Sequence, residues 1–234
     1  MTEPTSPASA EAFDAAESAP ADGGTPAALL RRVPQQDRGQ RRVDRILDAA
    51  ADVIAEVGVD GASTNAIAAR AKTSVGSLYQ FFPNKDAIVQ ALAARYAAEF
   101  ERLKDQVMSP EVADLPLDEM MRGIVAPIAA YCDTNPAYRH VFLATNDLAV
   151  GYSATEARLH GMVVARVEAL IARRCPWVTA EQRLATATVQ VETVHAVLFH
   201  AQGRPPAERP ALCDELVRML VCALEPFDRM RPDG

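Results

Sequence analysis

Between Gly58 and Pro83 the sequence has room only for two very short helices and a tight turn, and this constrains the fold more than any other stretch. Upstream of it, Val43, Ile46, Leu47, Ala50, Val53, Ile54 and Val57 recur at the three- and four-residue steps of one helical face, about five turns long. Gly58 is placed to stop that helix, and Gly61 marks the following turn. Ser63 or Thr64 caps a second helix over 64–71, with Ile67, Ala68 and Ala71 inward. A turn at 72–74 leads to a third helix over 75–81, with Leu78 and Phe82 inward, which Pro83 and Asn84 break. Short helix, three-residue turn and short helix make the geometry of a helix-turn-helix. In that motif the second helix of the pair enters the major groove and the first lies across the backbone.

The rest of the chain also reads as helix. A fourth helix runs from Lys85 to about Met108, with Ile88, Leu92, Tyr96 and Leu103 on its buried side. After a break at 110–116, helices are predicted over 117–134, 136–149, 153–174, 180–203 and 207–229. Aromatic residues are only 6% of the chain, which leans away from sheets. The expected class is all-α, in three segments. Residues 1–36, rich in Pro, Ala, Ser, Glu and Gly, read as a disordered extension. Residues 37–84 form the helix-turn-helix domain, and residues 85–234 form a larger helical domain.

The net charge of −7 would argue against nucleic acid if the charges were spread evenly. They are not: residues 38–85 carry seven basic against five acidic side chains, whereas residues 1–37 carry two against six. No uncharged apolar run reaches the 18 residues of a membrane span, and the acidic N-terminus has no apolar signal-peptide core. Cytoplasmic placement is therefore expected, with the scattered cysteines Cys132, Cys175, Cys213 and Cys222 as reduced thiols. A helical enzyme finds no support, because the chain has no nucleophile–base spacing, no Gly-rich phosphate loop and no H-x-x-x-H. The four histidines lie too far apart in sequence to claim a metal site, and no cofactor is called for.

Gly76 is the informative residue of the third helix. Glycine inside a helix costs about 1 kcal/mol relative to alanine. That loss has a return if the helix backbone must approach a duplex closely. With Leu78 inward, Val75, Gly76, Ser77, Tyr79 and Gln80 lie on the outward side. Ser77 suits base edges or phosphate, and Tyr79 suits a phosphate. Lys85 and Thr64 each open a helix, where the helix dipole favours a phosphate. Arg38, Arg41 and Arg42 open the first helix, within reach of flanking backbone or a minor groove.

The order of these residues resembles the TetR family of regulators. The matching stretch runs Ser63-Thr64-Asn65-Ala66-Ile67-Ala68, then Ser74-Val75-Gly76-Ser77-Leu78-Tyr79-Gln80-Phe81-Phe82-Pro83-Asn84-Lys85-Asp86. The resemblance implies an all-helical homodimer with three DNA-binding helices and a C-terminal domain that binds a small ligand. It also implies a repressor of double-stranded operator DNA, released by that ligand. An activator or a ligand-independent regulator of the same fold is the alternative. By position, Thr64, Ser74, Tyr79 and Lys85 match family phosphate contacts, and Asn65, Val75 and Ser77 match positions that often read bases. Two residues depart from the pattern. Lys72 stands where glycine is common, so either the turn differs or Lys72 adds a phosphate contact. Phe81 stands where His or Tyr is frequent.

Helix 207–229 is apolar over most of its circumference, and Leu184, Val191, Val194, Leu198 and Phe199 form a stripe on helix 180–203. These last two helices are the candidate dimer face, as a four-helix bundle about a twofold axis; the alternative is monomer core. Candidate contacts to an apolar or amphipathic effector are the polar or aromatic groups on otherwise apolar helices: Tyr131, His140, Asn146, His160, Gln190 and Thr193, with Tyr138 and His195 beside them. Met120, Met121 and Met162 are either flexible filling around such a ligand or plain core.

Overall fold

The computed structural model describes residues 37–145 and 154–230, and every regular element among them is helical. In order these are α1 (Asp37–Gly61), α2 (Thr64–Arg70), α3 (Val75–Tyr79), α4 (Lys85–Val107), α5 (Leu117–Thr134), α6 (Ala137–Thr145), α7 (Ala154–Arg174), α8 (Ala180–Gln202) and α9 (Arg209–Arg229). Short 3-10 turns at Pro110–Asp114 and Pro206–Glu208 join α4 to α5 and α8 to α9. The expected extension at 1–36 and the tail of the predicted 136–149 helix lie outside the described residues.

The regular part of α1 ends where the sequence places its stop. Gly58 has φ 73, a left-handed conformation that glycine adopts without strain. Val57, expected on the inward face, is 55% exposed. It lies instead over Gly61, where an added Cβ would stand 3.1 Å from Val57 Cβ. The other six residues of the predicted stripe are buried, and Ile46 and Ile54 are fully so. Burial of one such side chain contributes roughly 1.5–3 kcal/mol, enough to hold α1 as the spine of the head.

Ser63 is the cap of α2, its hydroxyl accepting from Ala66 N at 3.2 Å. Ser74 caps α3, accepting from Ser77 N at 3.1 Å. α3 closes at Tyr79 rather than 81, because Phe81 N and Phe82 N both turn back to the Leu78 carbonyl at 3.0 Å. Leu78 and Phe82 are fully buried and Phe81 nearly so, so the residue that departs from the family pattern is a core side chain. Lys72 does adopt the left-handed conformation, at φ 51. The turn therefore keeps its shape with a lysine where glycine would be unstrained.

The buried side chains divide into two cores. One joins α1, α2 and α3 to the first half of α4, and takes in Ala137 and Val141 of α6. The other is built from α5, α7, α8 and α9 with Met108. α4 runs through both, and the expected division at residue 84 falls at its start. Of the α8 stripe, Val191 and Leu198 lie in the second core, Val194 and Phe199 are half-buried, and Leu184 is exposed. Arg174 fastens three elements together, pairing with Asp228 at 2.7 Å and donating to the carbonyls of Ala113 and Leu115.

Candidate DNA interface and effector cavity

The outer surface of the head carries the predicted DNA-facing residues. Arg41, Arg42, Asn65, Ser74, Gly76, Tyr79 and Gln80 are exposed, and Thr64, Val75, Ser77 and Lys85 are half-buried. Around Gly76 a Cβ would meet nothing within 4 Å, so no contact within the chain requires glycine there. The polar groups are held in place by one another. Thr64 Oγ1 and Tyr79 OH are 3.2 Å apart and tie the start of α2 to the end of α3. Ser74 Oγ donates to Ser77 Oγ at 2.9 Å.

Lys85, expected to meet a phosphate at the start of α4, turns its ammonium back towards α1. It donates to the Val59 carbonyl at 2.9 Å and more weakly to Asp60 at 3.5 Å, closing the end of α1. Asn84 caps α4 in its place, accepting from Ala87 N at 2.8 Å.

The C-terminal helices enclose adjoining cavities. One of about 130 Å³ lies among α4, α6, α7 and α8, walled by Tyr96, Phe100, Glu101, Lys104, Tyr138, Val141, Phe142, Thr145, His160 and His195. A second of about 60 Å³ reaches Met120, Met121, Gln190 and Leu220. A third of about 240 Å³ is bounded by Cys132, Glu192 and Phe199. Phe100 and His195 border all three. The rings pack closely: Phe100 stacks on Tyr138 at 5.7 Å, and Tyr131 meets Phe100 edge-on at 5.4 Å.

One charge pair is set into this apolar wall. Lys104 is 5% exposed, pairs with Glu101 and lies 5.4 Å from the Phe100 ring centre. Burial lowers its pKa, and Glu101 opposes that shift. His195 is pulled down to about 4, by burial first and then by His160 and Lys104. His160 Nε2 lies 3.0 Å from a Glu192 carboxylate oxygen, and the two imidazole rings are 5.9 Å apart. Residues 35 positions apart in sequence are therefore neighbours in the fold, against the expectation that the histidines are scattered.

Of the predicted effector contacts, His160 and Gln190 line the cavities. Tyr131 stands behind Phe100, its hydroxyl donating to Glu99 at 3.1 Å. His140 and Thr193 do not line these cavities. His140 packs at the α1 kink, where its Nδ1 would be 3.8 Å from a Cβ on Gly58, and Thr193 donates back to the Val189 carbonyl. Asn146 lies outside the described residues. Phe100 and Lys104 were not singled out from the sequence, although Ile88, Leu92, Tyr96, Phe100 and Lys104 form an unbroken series at four-residue steps that points to them.

Known proteins match both parts of the chain. Residues 46–92 match the family of bacterial regulatory proteins, tetR family, and residues 116–224 match the tetracyclin repressor-like C-terminal domain. The regulator YvdT of Bacillus subtilis is 33% identical over 37% of this chain and 46% of its own length. The repressor KstR of Rhodococcus jostii is 36% identical over 35% and 36%. The chain thus spans less than half the length of these two relatives. The nicotine-responsive repressor HdnoR of Paenarthrobacter nicotinovorans is 27% identical over 80% of this chain and 95% of its own. A TetR-like regulator from Rhodococcus sp. RHA1 shares the fold with a TM-score of 0.60 at 19% identity, covering 86% of this chain and all of that one. AibR, solved with isovaleryl coenzyme A and operator DNA, does so with a TM-score of 0.54 at 19% identity, over 77% and 98%. With a head and a C-terminal part that both match this one group, the chain belongs to the TetR family of bacterial regulators.

Proposed function

We propose that the protein is a dimeric repressor that binds a short pseudo-palindromic operator through α2 and α3 and leaves it when a small apolar or amphipathic molecule enters the cavities around Phe100. The observation that carries the DNA reading is Gly76, a glycine in the first turn of α3 on an open surface with no neighbour inside the chain to account for it. Exposed Asn65, Ser74, Tyr79 and Gln80 surround it. The reading of an effector rests on apolar walls with few polar groups, the usual form of a small-molecule site. HdnoR, which answers to nicotine, and AibR, which binds an acyl coenzyme A, support the same reading. For the homodimer, α8 keeps Ala185, Val189 and Ala196 exposed and α9 keeps Met219 and Ala223 exposed, apolar rows on the two helices expected to pair.

Selection of bound DNA from a random pool, followed by gel shifts with the DNA upstream of its own gene, tests the proposal. The expected outcome is binding to a twofold-symmetric sequence that weakens steeply with salt and is released by one class of compound. Binding without sequence preference would overturn it.

A further inference from the structure

Glu192 and His195 stand three residues apart on α8, so their side chains share one face of that helix. His160 projects from α7, the helix packed against that face. One ligand atom from each of the three lies within 4.8 Å of the other two. A plain ion pair accounts for only part of this arrangement. His160 Nε2 lies 3.0 Å from a Glu192 carboxylate oxygen, and Nδ1 of His195 is buried beside them without a hydrogen-bond partner. A buried imidazole nitrogen left over next to an imidazole and a carboxylate is a donor set that is one cation short.

We propose that His160, Glu192 and His195 form a site for a divalent transition-metal ion of the zinc type, with its remaining coordination position open to the cavity. Two imidazole nitrogens and one carboxylate oxygen are the ligand set of open, three-residue zinc sites. Their borderline character selects zinc, cobalt, nickel or copper over magnesium or calcium, which take oxygen ligands. Tetrahedral bonds of ordinary length place donor atoms about 3.3 Å apart. Glu192 has the freedom to make that contraction, since its side chain is 50% exposed. The charge of Lys104 nearby is already met by Glu101. Both histidines wall the cavity of about 130 Å³ among α4, α6, α7 and α8, so the open position faces its interior.

The test uses the full chain, stripped of metal with a chelator and titrated with Zn²⁺ against a chromophoric competitor, then with Co²⁺ read by its visible spectrum. One ion per chain and a tetrahedral cobalt spectrum are expected. Glu192→Gln and His160→Asn should each weaken binding by about tenfold or more, and His140→Asn and His200→Asn should not. Glu192 is half-exposed, so Glu192→Gln is expected to fold as the unaltered chain does, with circular dichroism as the check. Failure to compete for Zn²⁺, or equal affinity in Glu192→Gln, His160→Asn and the unaltered chain, would overturn the proposal.

Discussion

The ammonium of Lys85 closes the end of α1 by donating to the Val59 carbonyl at 2.9 Å, one residue past the left-handed Gly58. The charge that opens α4 thus also fixes the end of α1. With three N–H donors, Lys85 has the capacity to serve α1 and a DNA phosphate together. Lys85→Met is expected to lower stability by about 1 kcal/mol in urea denaturation and to reduce the salt dependence of DNA binding by about one counterion per subunit. An unchanged salt slope would remove Lys85 from the phosphate contacts.

Gly76→Ala separates folding from binding. A Cβ at position 76 meets nothing within 4 Å and α3 gains a better helix former, so the melting temperature should rise, by up to about 1 kcal/mol of stability. Operator affinity should fall about tenfold or more if the new methyl group stands where the proposed operator would approach. A gel shift showing unaltered affinity would mean the glycine serves no close approach.

Lys72 is held at φ 51, where a side chain is disfavoured by about 1–2 kcal/mol. Lys72→Gly relieves this but gives the unfolded chain more freedom. The expected net gain is roughly 0.5 kcal/mol in chemical denaturation. A stability loss would show that the lysine side chain holds the turn.

Burial pushes the thiol of Cys132 from 9.0 up to about 12. The folded chain keeps that proton at a pH where the unfolded chain releases it. The contribution is therefore fully present below pH 9 and is lost progressively as pH rises towards 12. By pH 10.5 the loss is roughly 2 kcal/mol. Cys132→Ala escapes it, so its stability deficit at pH 7.5 should narrow by about that amount at pH 10.5. A constant deficit, measured by urea titration at both values, would contradict this.

The helical class and the helix-turn-helix were legible because apolar spacing, Gly58, the serine caps and Pro83 all act locally. Boundaries set by non-local contacts were less so. Val57 continues the inward stripe in sequence but is turned outward where the chain bends at Gly58. Leu184 continues the α8 stripe yet finds no partner in the second core and stays exposed. Phe81 departs from the family pattern of His or Tyr, and its burial in the head accounts for the departure. In the cavity, sequence reasoning looked for polar groups on apolar helices and found His160 and Gln190. It passed over Lys104 because a charged residue at the end of a helix reads as solvated, and only the four-residue series through Phe100 shows it turned inward. The meeting of His160 with His195 depends on how α7 packs on α8, which no local pattern encodes.

Val141 of α6 is buried in the core of the head and also forms part of the wall of the cavity that Tyr96, Phe100 and His160 line. α6 has nine residues, a rod about 13 Å long, too short to bend appreciably between its two duties. The partition between the compartment that would meet DNA and the one that would meet a small molecule is therefore, at this point, a single isopropyl group thick. A guest that pushes Val141 by the width of a methyl has already moved the floor on which α1 rests.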